Sequence, residues 1–357
     1  MTEKVLMSGN HIVGEASVLA GCRFYAGYPI TPQNELTEYM ASAMAGLDDG
    51  TFIQAESEIA AINMVIGAAI AGCRAMTSSS SPGISLKQEG ISFLSAMELP
   101  AVIVNCMRGG PGLGNIAPSQ GDYFQATRGG GHGDYRNIVL GPASGQELAD
   151  LTRKAFDYAD KYRTPVIILQ DGMMGQIREP VEFPEPIKIQ ELPPKPWKLD
   201  GAKGRPSRII KSLLLDPKVE EDLNWKLVKR YETIARDLQH AETYLTDDAN
   251  LVIVAYGTAA RIAKGAINRA REEGIKVGLF RPVTLWPFPK RSLVDLSSSV
   301  KNFLVFEMST GQMLEDVQLS LEGRSRIYFH GRPGGVVSTP LDIKKVITDC
   351  FKQNGLG

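Results

Sequence analysis

Two short segments near the N-terminal end carry the residue types best suited to chemistry. In the first, Tyr28–Pro32 (YPITP), a threonine hydroxyl lies between two prolines, which fix the backbone φ angle and lack an N–H donor. Residues that precede proline are pushed out of the helical region, so we expect Thr31 to be held rigidly in extended chain. In the second, Glu58 precedes an apolar stretch, residues 59–72, that contains no charge. A carboxyl group buried in such surroundings has a raised pKa and can exchange a proton near neutrality.

Both side chains also have a simpler interpretation. Thr31 could end a strand and cap the helix that follows it. Glu58 competes with Glu56, and either carboxylate could be an ordinary first-turn acid that complements the helix dipole. The residues alone therefore leave the choice between a chemical and a structural role open.

Arg108 is the third candidate. It follows residues 101–105, an apolar segment that predicts a buried strand, and it precedes Gly109-Gly110-Pro111. Ligands of α/β sheets bind at the carboxyl ends of parallel strands, and a guanidinium group pairs well with a carboxylate. Arg108 could instead bind a glutamate or the carbonyl groups of a loop.

Two polar loops are further candidates. Residues 77–83 (TSSSSPG) follow a predicted strand and begin a predicted helix, where hydroxyl and amide groups could hold an anion. A capped helix start explains this loop equally well. His132 lies among four glycines and could take part in acid–base chemistry, although a loop histidine often has no such role.

Composition and charge exclude several classes of protein. A chain of 357 residues is long for one domain, so two are expected. Lys and Arg total 39 against 40 Asp and Glu, which gives no electrostatic reason for binding nucleic acid or an anionic membrane. No signal peptide or apolar run of transmembrane length is found, so a cytoplasmic location is expected. The four cysteines form no metal-binding spacing, which favours buried thiols over an iron–sulfur cluster in this chain.

The pattern along the chain divides it into three parts. In residues 1–185, short apolar segments alternate with helical patterns, which predicts an α/β domain with a mostly parallel sheet. Residues 186–248 are rich in proline and charge, and a charged helix is predicted from Pro217 to Ala241. This part is either a linker with an arm that packs on another surface or an insertion without a partner. Residues 249–357 repeat the alternation and predict a second, smaller α/β domain.

Several motifs together resemble one enzyme family. They are YPITP, Ser57-Glu58 before the small-residue helix, Met107–Gly114 (MRGGPGLG) and residues 129–134 (GGGHGD). This set resembles the alpha-type, pyrimidine-domain subunit of the 2-oxoacid:ferredoxin oxidoreductases. Within that family it is most similar to the corresponding chain of the 2-oxoisovalerate (3-methyl-2-oxobutanoate) branch. The similarity runs from residue 1 to about 180 and, more loosely, over 249–340.

The resemblance implies a fold. The first domain would be a thiamin-diphosphate-binding, pyrimidine-type domain with a parallel sheet. The second would be a transketolase C-terminal-like α/β domain, because Arg281–Pro289 (RPVTLWPFP) is similar to the signature of such domains. In that family the second domain is structural and oligomeric rather than catalytic.

The resemblance also implies a role for each candidate residue. Glu58, which directly follows Ser57, would contact N1′ of the aminopyrimidine and activate the cofactor. Thr31 would lie beside the thiazolium ring and donate a hydrogen bond to the 2-oxoacid, whose carboxylate would bind Arg108. Further cofactor contacts are expected from the loop residues Tyr28, Pro29 and Ile30.

Other parts of the enzyme are expected on partner chains. Thiamin enzymes of this type hold a metal and the diphosphate with a Gly-Asp-Gly motif and a later asparagine. The nearest match here, Gln170-Asp171-Gly172, lacks the first glycine and has no asparagine before Asn224. We therefore expect thiamin diphosphate to be shared with a diphosphate-binding beta-type subunit that also holds Mg²⁺. A gamma-type subunit and a ferredoxin-like iron–sulfur subunit would complete the complex.

The sequence thus predicts a subunit of a heteromeric enzyme that is active only as a complex. The enzyme would convert a branched 2-oxoacid, 2-oxoisovalerate, to its acyl-coenzyme A and pass electrons to ferredoxin. The alternatives are the same reaction on 2-oxoglutarate or pyruvate, a dehydrogenase or transketolase of the same fold, and a non-catalytic, partner-binding subunit. YPITP argues against a dehydrogenase or transketolase, and the joint presence of Thr31, Glu58 and Arg108 argues against a non-catalytic subunit.

Overall fold

A computed structural model describes residues 4–356 of the chain. The outermost residues of the two predicted domains, 1–3 and 357, lie outside the described residues. Between residues 4 and 356, no helix combines the length and the apolar character that crossing a membrane requires.

The described residues alternate between strands and helices over most of their length. The strands are β1 Val5–Ser8, β2 Phe24–Gly27, β3 Thr51–Gln54, β4 Ala75–Ser79, β5 Ala101–Met107, β6 Ile138–Leu140, β7 Pro165–Asp171, β8 Arg178–Val181, β9 Ala241–Tyr244, β10 Leu251–Val254, β11 Val277–Pro282, β12 Thr284–Trp286, β13 Asn302–Glu307 and β14 Arg326–Gly331. The helices are α1 Gly9–Leu19, α2 Asn34–Ala45, α3 Glu58–Ile70, α4 Ser81–Ala96, α5 Tyr123–Thr127, α6 Gly145–Tyr162, α7 Gly172–Gln176, α8 Pro217–Asp237, α9 Gly257–Glu272, α10 Lys290–Leu296, α11 Gln312–Leu321 and α12 Pro340–Asn354.

The larger sheet has seven strands in the order β12-β6-β7-β5-β4-β2-β3. All neighbouring pairs are parallel except β12 with β6. Strands β5 and β7 lie at its centre and are buried along their whole length, which explains their uninterrupted apolar sequences. Helix α1 packs on α2 and α6, and α3 packs on α4. The predicted α/β class with a mostly parallel sheet is therefore confirmed.

The second sheet has five strands in the order β14-β13-β10-β11-β9, and only β9 runs antiparallel to its neighbour. Helix α12 packs on α9 over this sheet, and a capping box formed by Thr339 and Asp342 begins α12. Strand β12 leaves this half of the chain and extends the larger sheet. The second half of the chain therefore contributes a strand to the sheet of the first half. The domain boundaries given above stay a prediction.

The segment between the two halves packs on its own chain. The ammonium group of Lys195 pairs with Asp160 at 2.7 Å, and the Arg163 guanidinium stacks on Trp197. Asp216 caps α8, which ends at Asp237 rather than at Ala241 as predicted, because residues 241–244 pair with β11 as β9. Helix α8 is tied to the first half by Arg230, which bonds the Glu98 carboxylate.

Candidate functional site

Three adjacent strands of the larger sheet end at one place. Strand β2 leads into the Tyr28–Pro32 loop, β4 leads into α4, and β5 leads into Arg108. Because these strands are parallel neighbours, their carboxyl ends meet at the same edge of the sheet. The structure thereby brings the threonine loop, the serine-rich turn and the arginine together.

Arg108 contacts the threonine loop directly. Its side chain is buried, and Nη1 donates to the carbonyl oxygen of Thr31 at 2.9 Å while Nη2 donates to that of Leu113 at 3.0 Å. The backbone N–H of Arg108 donates to the Ser81 hydroxyl at 3.0 Å. The sequence left open whether Arg108 binds the carbonyl groups of a loop. The two bonds of its guanidinium group show that it does. The buried Nε atom has no hydrogen-bond partner among the described residues, so a donor remains for a ligand.

Glu58 is buried at the start of α3, whereas Glu56 is exposed. Ser57 caps the helix by accepting a hydrogen bond from the Ala60 N–H at 3.1 Å, which leaves the carboxyl group of Glu58 free of that task. The carboxyl group lies over Gly83 of α4, where a Cβ atom would come within 2.6 Å of Glu58 Oε1 and would also clash with the Ser79 hydroxyl. Glycine at position 83 therefore makes room for the Glu58 carboxyl group.

The sequence did not reveal the group that orders the serine-rich turn. The Asp122 carboxylate accepts hydrogen bonds from the Ser81 hydroxyl at 2.6 Å and the Asn105 amide at 2.9 Å. Burial raises the pKa of Asp122 and these hydrogen bonds oppose that effect. The one signal in the sequence that could have pointed to this buried contact was Asn105, a polar residue in an otherwise apolar strand.

Several buried polar atoms at this edge of the sheet have no hydrogen-bond partner among the described residues. Buried polar groups in proteins are nearly always bonded, and leaving one unpaired costs about 1–3 kcal/mol. These unpartnered atoms lie together at the ends of β2, β4 and β5, which indicates a place for a polar ligand. A nitrogen-rich ring such as an aminopyrimidine fits donors and acceptors of this kind. The atoms are Gln33 Nε2, Ser79 Oγ, Ser80 Oγ, Asn105 Oδ1 and Arg108 Nε.

The other sequence candidates lie elsewhere or have other partners. His132 packs edge-on against Phe93, and its carbonyl group accepts from Ser92, both in the C-terminal half of α4 and away from Glu58. The Asp171 carboxylate caps α7 and accepts from the Thr258 hydroxyl at 2.9 Å, so it joins the two halves of the chain. The Ser80 side chain makes no cap bond at the start of α4.

A cavity of about 430 Å³ borders the loop that follows Arg108. One wall comes from the first half of the chain, including Ser81, Gly110 and Asp122, and the other from the second half, including Thr310 and Gly334. Near the cavity, the Asn115 side chain donates a 2.9 Å hydrogen bond to the Gly334 carbonyl. Loop 331–335 thus contacts the first half of its own chain.

Comparisons with known proteins agree over nearly the whole chain. Residues 15–240 match the family described as pyruvate flavodoxin/ferredoxin oxidoreductase, thiamine diphosphate-binding. Residues 249–343 match the family described as pyruvate:ferredoxin oxidoreductase core domain II. The first of these matches covers more than half of the chain, including every residue of the candidate site.

Curated relatives match along their full length. The chain is 48% identical over 349 residues to the ketoisovalerate oxidoreductase subunit VorB of Methanothermobacter marburgensis, with 98% of each chain covered. It is 37% identical over 363 residues to the 2-oxoglutarate synthase subunit KorA of Methanocaldococcus jannaschii, with 96% of this chain and 98% of that protein covered. Both relatives are named as subunits, which indicates a multi-subunit enzyme.

Two solved structures share the fold. A 2-oxoglutarate:ferredoxin oxidoreductase from Magnetococcus marinus, with 2-oxoglutarate, coenzyme A and succinyl-CoA bound, superposes with a TM-score of 0.85 at 27% identity. The match covers 98% of this chain but only 65% of that one. A split-gene transketolase described as an inactive beta4 tetramer superposes with a TM-score of 0.57 at 13% identity, covering 97% and 98% of the two chains, which shows a shared fold alone.

Proposed function

Since this chain belongs to the family of 2-oxoacid:ferredoxin oxidoreductases, we propose that it holds the aminopyrimidine end of thiamin diphosphate in a complex that oxidises a branched 2-oxoacid to its acyl-coenzyme A. The observation that carries this proposal is the convergence of Thr31, Glu58 and Arg108 with unpartnered buried polar atoms at one edge of the sheet. The electrons would pass to ferredoxin through partner subunits.

Each of the three residues has a distinct task in this proposal. Bound thiamin diphosphate supplies the nucleophilic carbon that the reaction requires. The Glu58 carboxyl group holds and returns the proton at N1′ of the aminopyrimidine, in a buried position where water does not compete. The Thr31 hydroxyl donates to the 2-oxoacid, and Arg108 binds the carboxylate of the 2-oxoacid. Tyr28, Pro29 and Ile30 form the loop wall that faces the cofactor.

We propose 2-oxoisovalerate as the substrate. The identity to the ketoisovalerate relative, 48%, exceeds the 37% identity to the 2-oxoglutarate relative. The described residues that line the cavity beside the Arg108 loop include no lysine or arginine and one carboxylate, Asp122. Arg108 itself does not line this cavity, and a dicarboxylic substrate such as 2-oxoglutarate would need a second cation close to Arg108. Ferredoxin-dependent turnover of 2-oxoisovalerate, pyruvate and 2-oxoglutarate by the assembled complex tests this choice.

The remaining machinery is proposed to lie on partner subunits. A beta-type subunit would bind the diphosphate and Mg²⁺, and ferredoxin-like and gamma-type subunits would complete the electron path. Asp171, the nearest candidate for a diphosphate motif, is used inside this chain as a helix cap. The cysteines are free, and burial raises the pKa of the Cys22 thiol to about 12, so that thiol is a poor cluster ligand.

The deciding experiment measures exchange of the C2 proton of bound thiamin diphosphate against deuterium in the assembled complex. Glu58→Gln keeps the size of the side chain but removes the titrating group, so exchange should slow by about 10²–10⁴. The exposed neighbour provides the matched control, and Glu56→Gln should exchange at the wild-type rate. Loss of exchange in Glu56→Gln but not in Glu58→Gln would show that Glu56, and not Glu58, holds the proton. Wild-type exchange in both variants would leave this chain as a non-catalytic subunit.

A further inference from the structure

Lys87 is an unusual residue in the interior of the first half. Its side chain is 0% exposed, although lysine is almost never fully buried unless it is paired. Its ammonium group donates to the backbone carbonyl of Glu58 at 3.3 Å, and no carboxylate among residues 4–356 lies within the 4.0 Å of an ion pair. A methionine or leucine would fill the same space without burying a charge.

The crossing of α3 and α4 explains how Lys87 reaches this position. On α4, Gly83, Lys87 and Gly90 follow one another on the same face of the helix, as their spacing of four and three residues requires. A Cβ atom at Gly83 would meet the Glu58 carboxyl group, and a Cβ atom at Gly90 would lie 2.6 Å from the Ile62 side chain. The two glycines let the helices approach, and the lysine between them extends to the first turn of α3.

We propose that Lys87 is a positioning residue for Glu58: its ammonium group anchors the first turn of α3 through the Glu58 carbonyl and places a positive charge beside the Glu58 carboxyl group. This inference rests on the function proposed for Glu58. It extends that function, because Lys87 on the neighbouring helix α4 would supply the positive charge near the Glu58 carboxyl group. Neither the anchor nor the charge can be supplied by an apolar residue of the same size.

The electrostatics of Lys87 are consistent with this role. Burial lowers its pKa from the usual 10.5 to about 8, and the negative charge of Glu58 opposes that decrease. Within residues 4–356, Glu58 is the ionisable group whose charge acts on Lys87, so the two groups form a pair. Lys87 is mostly protonated at neutral pH and therefore carries the charge that the proposal requires.

The first test follows the titration of Lys87 itself in the full chain without cofactor. The lysine side chains are labelled with ¹³C at Cε, and the signal missing from Lys87→Met identifies Lys87. In Glu58→Gln the titration midpoint of that signal should fall by about one pH unit, because the opposing negative charge is removed. The exposed Lys203 should titrate alike in both proteins. An unchanged midpoint for Lys87 would overturn the proposal.

The second test uses Lys87→Met in the assembled complex. Methionine is close to lysine in length, so the variant should fold and bind thiamin diphosphate. C2 proton exchange at neutral pH should slow about tenfold, because the charge beside the carboxyl group is gone. The difference from the wild type should shrink above about pH 8, where Lys87 itself loses its proton. A purely packing role would change the melting temperature and leave the pH profile unaltered. Lys203→Met serves as the control.

The two proposals fail in different ways. Retained exchange in Glu58→Gln overturns the proposed function and, with it, the role of Lys87. Lost exchange in Glu58→Gln together with a wild-type pH profile in Lys87→Met leaves the proposed function standing and shows that the positioning role of Lys87 is wrong.

Discussion

At the scale of single residues, Arg108 connects two loops and retains a donor for the binding role proposed for it. A guanidinium group has five N–H donors in a fixed plane, and two of its nitrogens are engaged with the carbonyl groups of Thr31 and Leu113. These bonds hold the threonine loop against the loop that follows β5. The Nε–H donor is buried and has no partner among residues 4–356, so the structure combines a rigid anchor with a free hydrogen-bond donor. Substitution by lysine would preserve the charge but not this geometry.

Lys87 leads to a prediction about stability at the same scale. Its pKa is about 8 in the folded chain and 10.5 when exposed, so the unfolded chain binds more protons between these values. The free energy of unfolding therefore gains a contribution that rises with pH across this interval and totals about 3 kcal/mol. The destabilisation from burying the charge is complete below about pH 8 and is lost near pH 10.5.

Lys87→Met should remove this dependence. We expect the variant to be more stable than the wild type near neutral pH, with the difference shrinking toward alkaline pH. Urea midpoints of the two proteins, measured at several pH values, give the comparison, and other titrating groups cancel in the difference. A difference that stays constant with pH would contradict a lowered pKa for Lys87. Lys203→Met, on an exposed loop, should show no such trend.

At the scale of secondary-structure elements, the pair α3 and α4 positions the proposed proton-holding group. Gly83→Ala adds a Cβ atom 2.6 Å from Glu58 Oε1 and closer still to the Ser79 hydroxyl, so the carboxyl group and the hydroxyl must move or the helices must separate. Alanine is a better helix former by about 1 kcal/mol, which offsets part of the strain. We expect C2 exchange to fall about 10- to 100-fold, less than the factor of about 10²–10⁴ expected when the acid–base group itself is removed, while the fold persists.

Gly67 provides the matched control within α3. A Cβ atom at this position meets nothing within 4 Å. Gly67→Ala should therefore leave C2 exchange unchanged and stabilise the chain slightly through helix propensity. Equal effects of the two substitutions on exchange would show that the close approach of α3 and α4 is not what positions Glu58.

At the scale of the whole molecule, Gln120 joins the two halves of the chain. Its buried side chain donates to the Tyr256 carbonyl and accepts from the Met308 N–H, both at 2.9 Å, and its backbone N–H donates to the Met308 carbonyl. The apolar replacement Gln120→Met would leave the Met308 N–H unpaired and would remove one of two hydrogen bonds at the Tyr256 carbonyl, which also accepts from the Ala260 N–H. An unpaired buried group costs about 1–3 kcal/mol, so the free energy of unfolding should fall by about that amount.

Urea denaturation of the full chain checks this prediction. Separate transitions for the two halves should appear, or move further apart, in Gln120→Met, because the bonds between the halves are the ones removed. Gln353→Met, at an exposed position in α12, is the control and should denature like the wild type. A wild-type midpoint for Gln120→Met would mean that other contacts carry the association of the halves.

Much of the fold follows from local sequence. The apolar segments at β5 and β7 are continuous because both faces of these strands are covered, and such runs between helical patterns predict a parallel sheet. The short strand β12 was not predicted. Its partner β6 lies more than a hundred residues earlier in the chain, and three residues carry too little periodicity to reveal a strand.

The sequence by itself determined which residues are chemically suited to the site: a hydroxyl between prolines, a carboxyl group before an uncharged helix, and an arginine after a buried strand. Only the tertiary structure decided their contacts. The Arg108 guanidinium meets a carbonyl group 77 residues away, and the Lys87 ammonium meets one 29 residues away. Long side chains have many rotamers, and no local preference selects a distant partner. The order of the parallel strands and the glycine-lined crossing of α3 and α4 make that selection.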